Sequence, residues 1–367
     1  MCIEDLALAH IRGLGSRGVY HLIEHFGDAE SIYRTSLHQL TSYANLRPDI
    51  AEQIVAKVGF REAENEIKYC RRHDIRALAA TDDDYPAPLR EAQDRPHVLF
   101  VMGNVEALSM SCLSMVGTRE ATPSGIHVCD KLIGGLASQI SDLCIVSGLA
   151  YGIDSACHRS ALAHDVCTVA VVASILPEVS PAPHEGLAKE IINKGGAIVT
   201  ELHSQSKQNG KLFLARNRII AGMSMGTIVV ESPASGGSLA TAEIADSYGR
   251  TVMAVPGRLT DSYSFGSNNL IRTGKARLIL TAEDIIDDLG WIPTPQKEIE
   301  ETTDNRLDSL TPTERAVYEA FDQATTMDWG ALIATTKLSM GELSMVVMDL
   351  ELKGFIRCLP GQRFERI

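Results

Sequence analysis

Two neighbouring stretches decide how this chain is read: KLFLARNRIIAG, Lys211 to Gly222, and TIVVESPASGGSLATAE, Thr227 to Glu243. The second passes from an apolar β-branched run through a glycine- and serine-rich loop into a helical pattern. That is how α/β folds build anion cradles at helix N-termini. The first is cationic. Between Leu202 and Val230 stand four basic residues, Lys207, Lys211, Arg216 and Arg218, and no acidic one, in a chain with a formal net charge of −13. Phe213 lies among these cations and Asn217 separates two arginines. Positive charge interleaved with a ring suits a phosphate backbone carrying stackable bases. The same residues also fit arginines on an ordinary solvated helix.

Outward from these stretches the strand pattern repeats. Apolar runs at Cys112 to Val116, Cys144 to Val146, Thr168 to Val172, Ala197 to Thr200, Thr227 to Val230, Thr251 to Val255 and Arg277 to Leu280 alternate with helical segments. Those segments include Ile126 to Ser138, Ile153 to Ala163, His184 to Lys194 and Leu239 to Tyr248. Strands separated by helices predict βαβ units and a doubly wound parallel sheet. Such sheets bind ligands at the carboxyl ends of their strands. At those ends lie Val116-Gly117-Thr118-Arg119, Ser147-Gly148 with the loop to Asp154, and the Ser235-Gly236-Gly237-Ser238 turn. Backbone amides at the glycine turns and the hydroxyls of Ser147 and Ser238 suit phosphate oxygens, and Arg119, Lys211 and Arg216 supply charge. Five further bases, Arg250, Arg258, Arg272, Lys275 and Arg277, are expected to converge on the same rim.

Residues 1–75 read as short helices with apolar residues at helical spacing, among them Leu22, Ile23 and Phe26. Gly13-Leu14-Gly15 with Ser16 as a cap resembles the hairpin of a helix-hairpin-helix, but three residues fit a plain interhelical turn better. Asp84-Tyr85-Pro86 marks a break, and Val98 to Val101 begins a strand. Residues 76–290 carry the sheet. Residues 291–309, with Pro293, Pro295 and the acids Glu298, Glu300, Glu301, Asp304 and Asp308, read as a linker. Residues 310–367 hold two capping boxes, Thr311 to Glu314 and Ser339 to Glu342. A hairpin closes the module through Pro360-Gly361-Gln362, and three helices with a terminal hairpin describe a winged helix. Such modules bind DNA, but Lys353 is the sole base of the third helix, which points as readily to a protein contact.

Composition bounds the function. Hydrophobic content of 45% and charged content of 22% are ordinary for a soluble protein. The acidic balance argues against coating nucleic acid through bulk charge, though not against a local cationic groove. Eight scattered cysteines form no CxxC pair, so metal-ligand spacing is absent and reduced thiols in a cytoplasmic protein are expected. The N-terminus lacks the basic start and apolar core of a signal peptide. Neither GxGxxG with its ribose-binding acid, nor GxxxxGK[ST], nor GxSxG is present. His158 near Asp154 offers a general base or a structural hydrogen bond.

A resemblance now covers nearly the whole chain. DYPAPL (84–89), RPHVLFVMG (95–103), MVGTRE (115–120), SGLAYGIDSACH (147–158), FLARNRIIAG (213–222), VVESPASGGSLATA (229–242), AVPG (254–257) and SFGSNNLIRTGKA (264–276) resemble the DNA-processing protein A family, DprA or Smf. The resemblance implies an N-terminal helical SAM-like domain, an extended Rossmann domain and a winged helix. It implies a dimer that binds and shields single-stranded DNA, helps load the RecA recombinase, and needs no cofactor or catalytic activity. By position the DNA pocket falls on Arg119, Ser147, Gly148, Phe213, Arg216, Asn217 and Arg218, with Lys211 as the nearest basic candidate; Gly237 and Ser238 join it from the reading of the glycine turn. Departures lie in Ala173-Ser174-Ile175-Leu176 and Ser180-Pro181, where the family often has a glycine pair and Tyr-Pro, and in Leu214, where it has proline. The competing reading is an enzyme, because Ser235 to Glu243 is similar to the glycine-rich loop of the nucleotide phosphoribohydrolases.

Overall fold

The computed structural model describes every residue except 43, 45, 208, 295–309, 322–325, 360–362 and 367. Two compact units result, Met1–Thr294 and Pro295–Ile367. The first is built on nine strands: β1 (Ile75–Ala79), β2 (Val98–Gly103), β3 (Ser111–Val116), β4 (Leu143–Ser147), β5 (Cys167–Val171), β6 (Ala197–Thr200), β7 (Gly226–Val229), β8 (Thr251–Ala254) and β9 (Arg277–Leu278). Their order is β1-β2-β6-β5-β4-β3-β7-β8-β9. From β6 through β9 every pairing is parallel. β2 runs antiparallel to both β6 and β1.

The strand sequences explain this layering. β3, β4, β6 and β7 are buried on both faces but for the first residue of β3, which only a helix-covered parallel sheet allows. The pleat sends Leu113 and Met115 to one face, against Leu132, Ile133 and Cys157 of helices Pro123–Ala137 and Ile153–Ala163. Cys112 and Val116 point to the other, against Ile219, Ile220 and Ala245 of helices Leu212–Met223 and Gly237–Ser247. Leu22, Ile32 and Ile54 of the N-terminal helices share one cluster with Val98, Phe100 and Ile198 of the sheet.

Ile75–Ala79 is a strand, held by pairing with β2 against the helix preference of its alanines and leucine. Lys211 to Gly222 is mostly the helix Leu212–Met223, the second of its two readings. One local expectation is corrected. Ser16 is not a cap: Leu14 occupies that position and Ser16 lies inside helix Gly15–Phe26, where its hydroxyl accepts from Arg218 at 3.4 Å.

The second unit contains helices Pro312–Ala320, Trp329–Thr336 and Met340–Leu352, with β10 (Thr326–Asp328), β11 (Ile356–Leu359) and β12 (Arg363–Arg366) in the antiparallel order β10-β12-β11. Both capping boxes form. β10 adds a strand to the expected hairpin. The acidic set from Glu298 to Asp308 and the Pro360-Gly361-Gln362 turn lie outside the described residues. Among the described residues no single helix is long and apolar enough to cross a membrane, and all eight cysteines are free.

One seam between the helices and the sheet is titratable. The rings of His10 and His203 lie 4.3 Å apart, and His10 Nε2 is buried with no hydrogen-bond partner among the described residues. Burial holds both below the ordinary value of 6.5, and for His10 the neighbouring His203 adds to the effect against Glu66 and Glu62. Both rings are therefore neutral when folded at a pH where the unfolded chain has begun to protonate them. Stability is complete above about pH 6.5 and falls as the pH drops below it. Urea unfolding at about pH 7 and about pH 5.5 is expected to show that fall, and His10→Gln with His203→Gln to reduce it; an unreduced fall would refute the assignment.

Candidate nucleic-acid interface

From β3 the chain order steps one way to β4, β5 and β6 and the other way to β7, β8 and β9. The carboxyl ends of β3 and β7 thus flank the switch point, where neighbouring crossovers diverge and leave a crevice. A cleft of about 500 Å³ occupies it. One wall is the Gly117-Thr118-Arg119 turn after β3. The other is Pro233 with Gly236-Gly237-Ser238 after β7, and helix Leu212–Met223 contributes Phe213, Arg216 and Asn217.

The predicted residues divide by what they touch. Arg119 and Phe213 are exposed, with the guanidinium carbon 5.8 Å from the ring centroid, inside cation–π range. Lys211 is exposed at the start of the same helix. Asn217 donates to the Gly237 carbonyl at 3.2 Å and ties the helix to the glycine turn. The Ser238 hydroxyl donates to Ser232 at 2.9 Å. Ser147 is fully buried and donates to the Met115 carbonyl at 2.6 Å, so its hydroxyl is a strand tie rather than a rim group. Arg218 is drawn aside by Glu201 at 2.6 Å.

Arg216 is the largest departure from expectation. It is 6% exposed and runs under Gly148, where Nη1 donates to the carbonyls of Gly148 and Val171. Asp154, also buried, stands on the other side: a Cβ on Gly148 would lie 2.4 Å from Arg216 Nη1 and 2.5 Å from Asp154 Oδ2. Burial raises the Asp154 carboxyl above its ordinary value against the pull of Arg216, and lowers Arg216 against the pull of Asp154. Desolvation therefore outweighs attraction for both, as buried charges require. Arg216 is the floor of the cleft and Arg119 its lip.

The second cationic segment does not converge here. Arg250 precedes β8 and Lys275 and Arg277 lie at the start of β9, so they belong to the amino end of the sheet. They pair with Glu91, Glu243 and Asp288 respectively. Only Arg258, after β8, lies on the carboxyl side, in an adjoining hollow of about 570 Å³. His158 is a structural residue: Nδ1 meets the Thr168 hydroxyl at 2.7 Å, and burial pushes its pKa down to about 3.

Two residues at the strand ends have a role that sequence reading does not assign. Tyr151, exposed and edge-on to His184 at 4.9 Å, lines a smaller hollow of about 180 Å³ with Arg119, Phe213 and the divergent Ala173, Ser180 and Pro181. Its signal was an aromatic in a turn at a strand end. Glu231 is buried after β7, and its carboxylate accepts from the Thr122 amide at 3.0 Å and from the Thr122 hydroxyl. Its backbone carbonyl accepts from Thr118 at 2.7 Å. The turn that carries Arg119 is thus clamped at both ends. Glu231→Ala is expected to cost about 1–3 kcal/mol of stability in urea unfolding, and Glu231→Gln, which keeps an acceptor, clearly less. Equal costs would show that the clamp is unimportant.

Residues 76–290 match the family model described as DNA recombination-mediator protein A, and residues 301–362 match the DprA winged helix domain. The chain is 31% identical to Protein Smf of Escherichia coli strain K12, across 82% of this chain and 80% of that one. The crystal structure of DNA processing protein A from Streptococcus pneumoniae superposes with a TM-score of 0.68 at 29% identity, covering 78% of this chain and 98% of that one. The Helicobacter pylori DNA processing protein A, described for its single-stranded DNA binding mode, superposes with a TM-score of 0.52 at 26% identity, covering 59% and 95%.

Proposed function

The chain belongs to the DNA recombination-mediator protein A family, known also as DprA or Smf, and from that premise we propose that it binds single-stranded DNA in the cleft between β3 and β7. Arg119 and Lys211 meet phosphates, Phe213 stacks on a base with Tyr151 beside it, and the amides of the Gly236-Gly237 turn face phosphate oxygens. Binding has little sequence preference, because a ring face and a phosphate contact are common to every nucleotide. The protein shields the strand and hands it to the RecA recombinase. It works as a homodimer in the cytoplasm and leaves the strand chemically unaltered.

The observation that carries this reading is the exposed Arg119–Phe213 pair over a cleft at the switch point. The enzyme reading finds no support there. Glu243, the carboxylate it requires, does not line the cleft and pairs with Lys275 at 3.7 Å. Titration of labelled single- and double-stranded oligonucleotides of equal length at two salt concentrations tests the proposal. Tight, salt-sensitive binding of the single strand is expected. Equal affinity for the duplex would overturn it, and release of adenine from AMP would revive the hydrolase.

A further inference from the structure

In a helix-turn-helix the second helix is the one that enters the DNA groove, and it does so with basic and polar side chains. Here that helix is Met340–Leu352, and its outward side is of another kind. Leu343, Val347 and Leu350 face the core of the unit. At 100° per residue, the opposite side is then centred on Met345 and Met348, which are 66% and 64% exposed. Met340 at the helix start is exposed as well. Glu351 stands on one flank of the methionine pair, and Glu342 and Asp349 on the other. The one base at this end of the helix, Lys353, points to Glu314 at 2.7 Å. Residues 310–367 hold six bases and eight acids, a net charge of −2.

This arrangement repels a phosphate backbone, since each exposed carboxylate adds unfavourable charge and no free cation on the helix offsets it. It suits a different occupant. Unbranched methionine side chains fit irregular apolar surfaces, and an acidic border selects a basic rim. We propose that the outward side of helix Met340–Leu352 docks an amphipathic helix of a partner protein, with apolar residues along one side flanked by lysine or arginine. The winged helix of this chain is a protein-docking module. DNA binding belongs to the other unit.

The test uses the full chain and fluorescence anisotropy of a labelled synthetic 20-residue helical peptide with Leu and Trp on one side and Lys and Arg on the other. A second peptide replaces each Lys and Arg by Glu. The basic peptide is expected to bind about 10-fold or more tightly than the acidic one, and Met345→Ser with Met348→Ser to weaken it by about 10-fold or more. Asp349→Asn should weaken it less and lower its salt dependence. Thermal melting and single-strand binding of the Ser variant report that the fold and the main site are intact. Basic-peptide binding unchanged by the Ser pair overturns the proposal. So does equal binding of the acidic peptide, or duplex DNA binding that the Ser pair abolishes. Conversion of a dimer to a monomer by the Ser pair in sedimentation would likewise overturn it, by making a second copy the occupant.

Discussion

Arg216→Ala is expected to lower the unfolding free energy of the Met1–Thr294 unit by about 3–5 kcal/mol, the cost of removing one member of a buried charge pair. Two effects combine. The carbonyls of Gly148 and Val171 lose their donor, and the buried Asp154 carboxyl loses the larger of the two cationic attractions that act on it, Arg119 supplying the other. In a unit of this size the melting temperature should fall on the order of 10 °C. Arg216→Met combined with Asp154→Asn should recover part of the loss, because no uncompensated charge then remains. A single variant melting within about 2 °C of the parent would show that the guanidinium is not structural.

Phe213→Ala is expected to weaken binding of oligo-dT by about 1–3 kcal/mol, on the order of 5- to 150-fold. Stacking is not screened, so the deficit should be the same at low and high salt. Arg119→Ala should behave differently. Losing one phosphate contact reduces the slope of log affinity against log salt by about 0.7, and the defect shrinks as salt rises. Ring and guanidinium also lie within cation–π range of each other, so the double variant should lose less than the sum of the two. Full affinity in both single variants would remove the cleft from consideration.

These expectations also locate what the sequence made legible. β3, β4, β6 and β7 could be placed because burial on both faces leaves an uninterrupted apolar run. The capping boxes at Thr311 and Ser339 were readable because each is complete within four residues. Helix Leu212–Met223 stood only as one of two readings. Arg216 and Asn217 are polar yet buried, and they break the apolar stripe that would announce a helix. Arg216 itself was read as a lip residue, since its partners at Gly148, Asp154 and Val171 lie 45 to 68 positions away and meet only when β4 and β5 are side by side. Charge along the chain says that an arginine exists. It does not say which way the fold turns it, and so Arg250 and Arg277 were assigned to the wrong end of the sheet.

The crowding at Gly148 bears on how such a groove can be altered. A methyl group there meets a guanidinium and a carboxylate within 2.5 Å, so the depth of the recess is cast with the sheet and offers selection no room to adjust. Its mouth is another matter, because Lys211 and Phe213 stand in solvent and can be exchanged one at a time without disturbing the scaffold. Attempts to retune the proposed strand-binding cleft toward bulkier or modified strands therefore have a rigid mould to work from and a freely editable entrance.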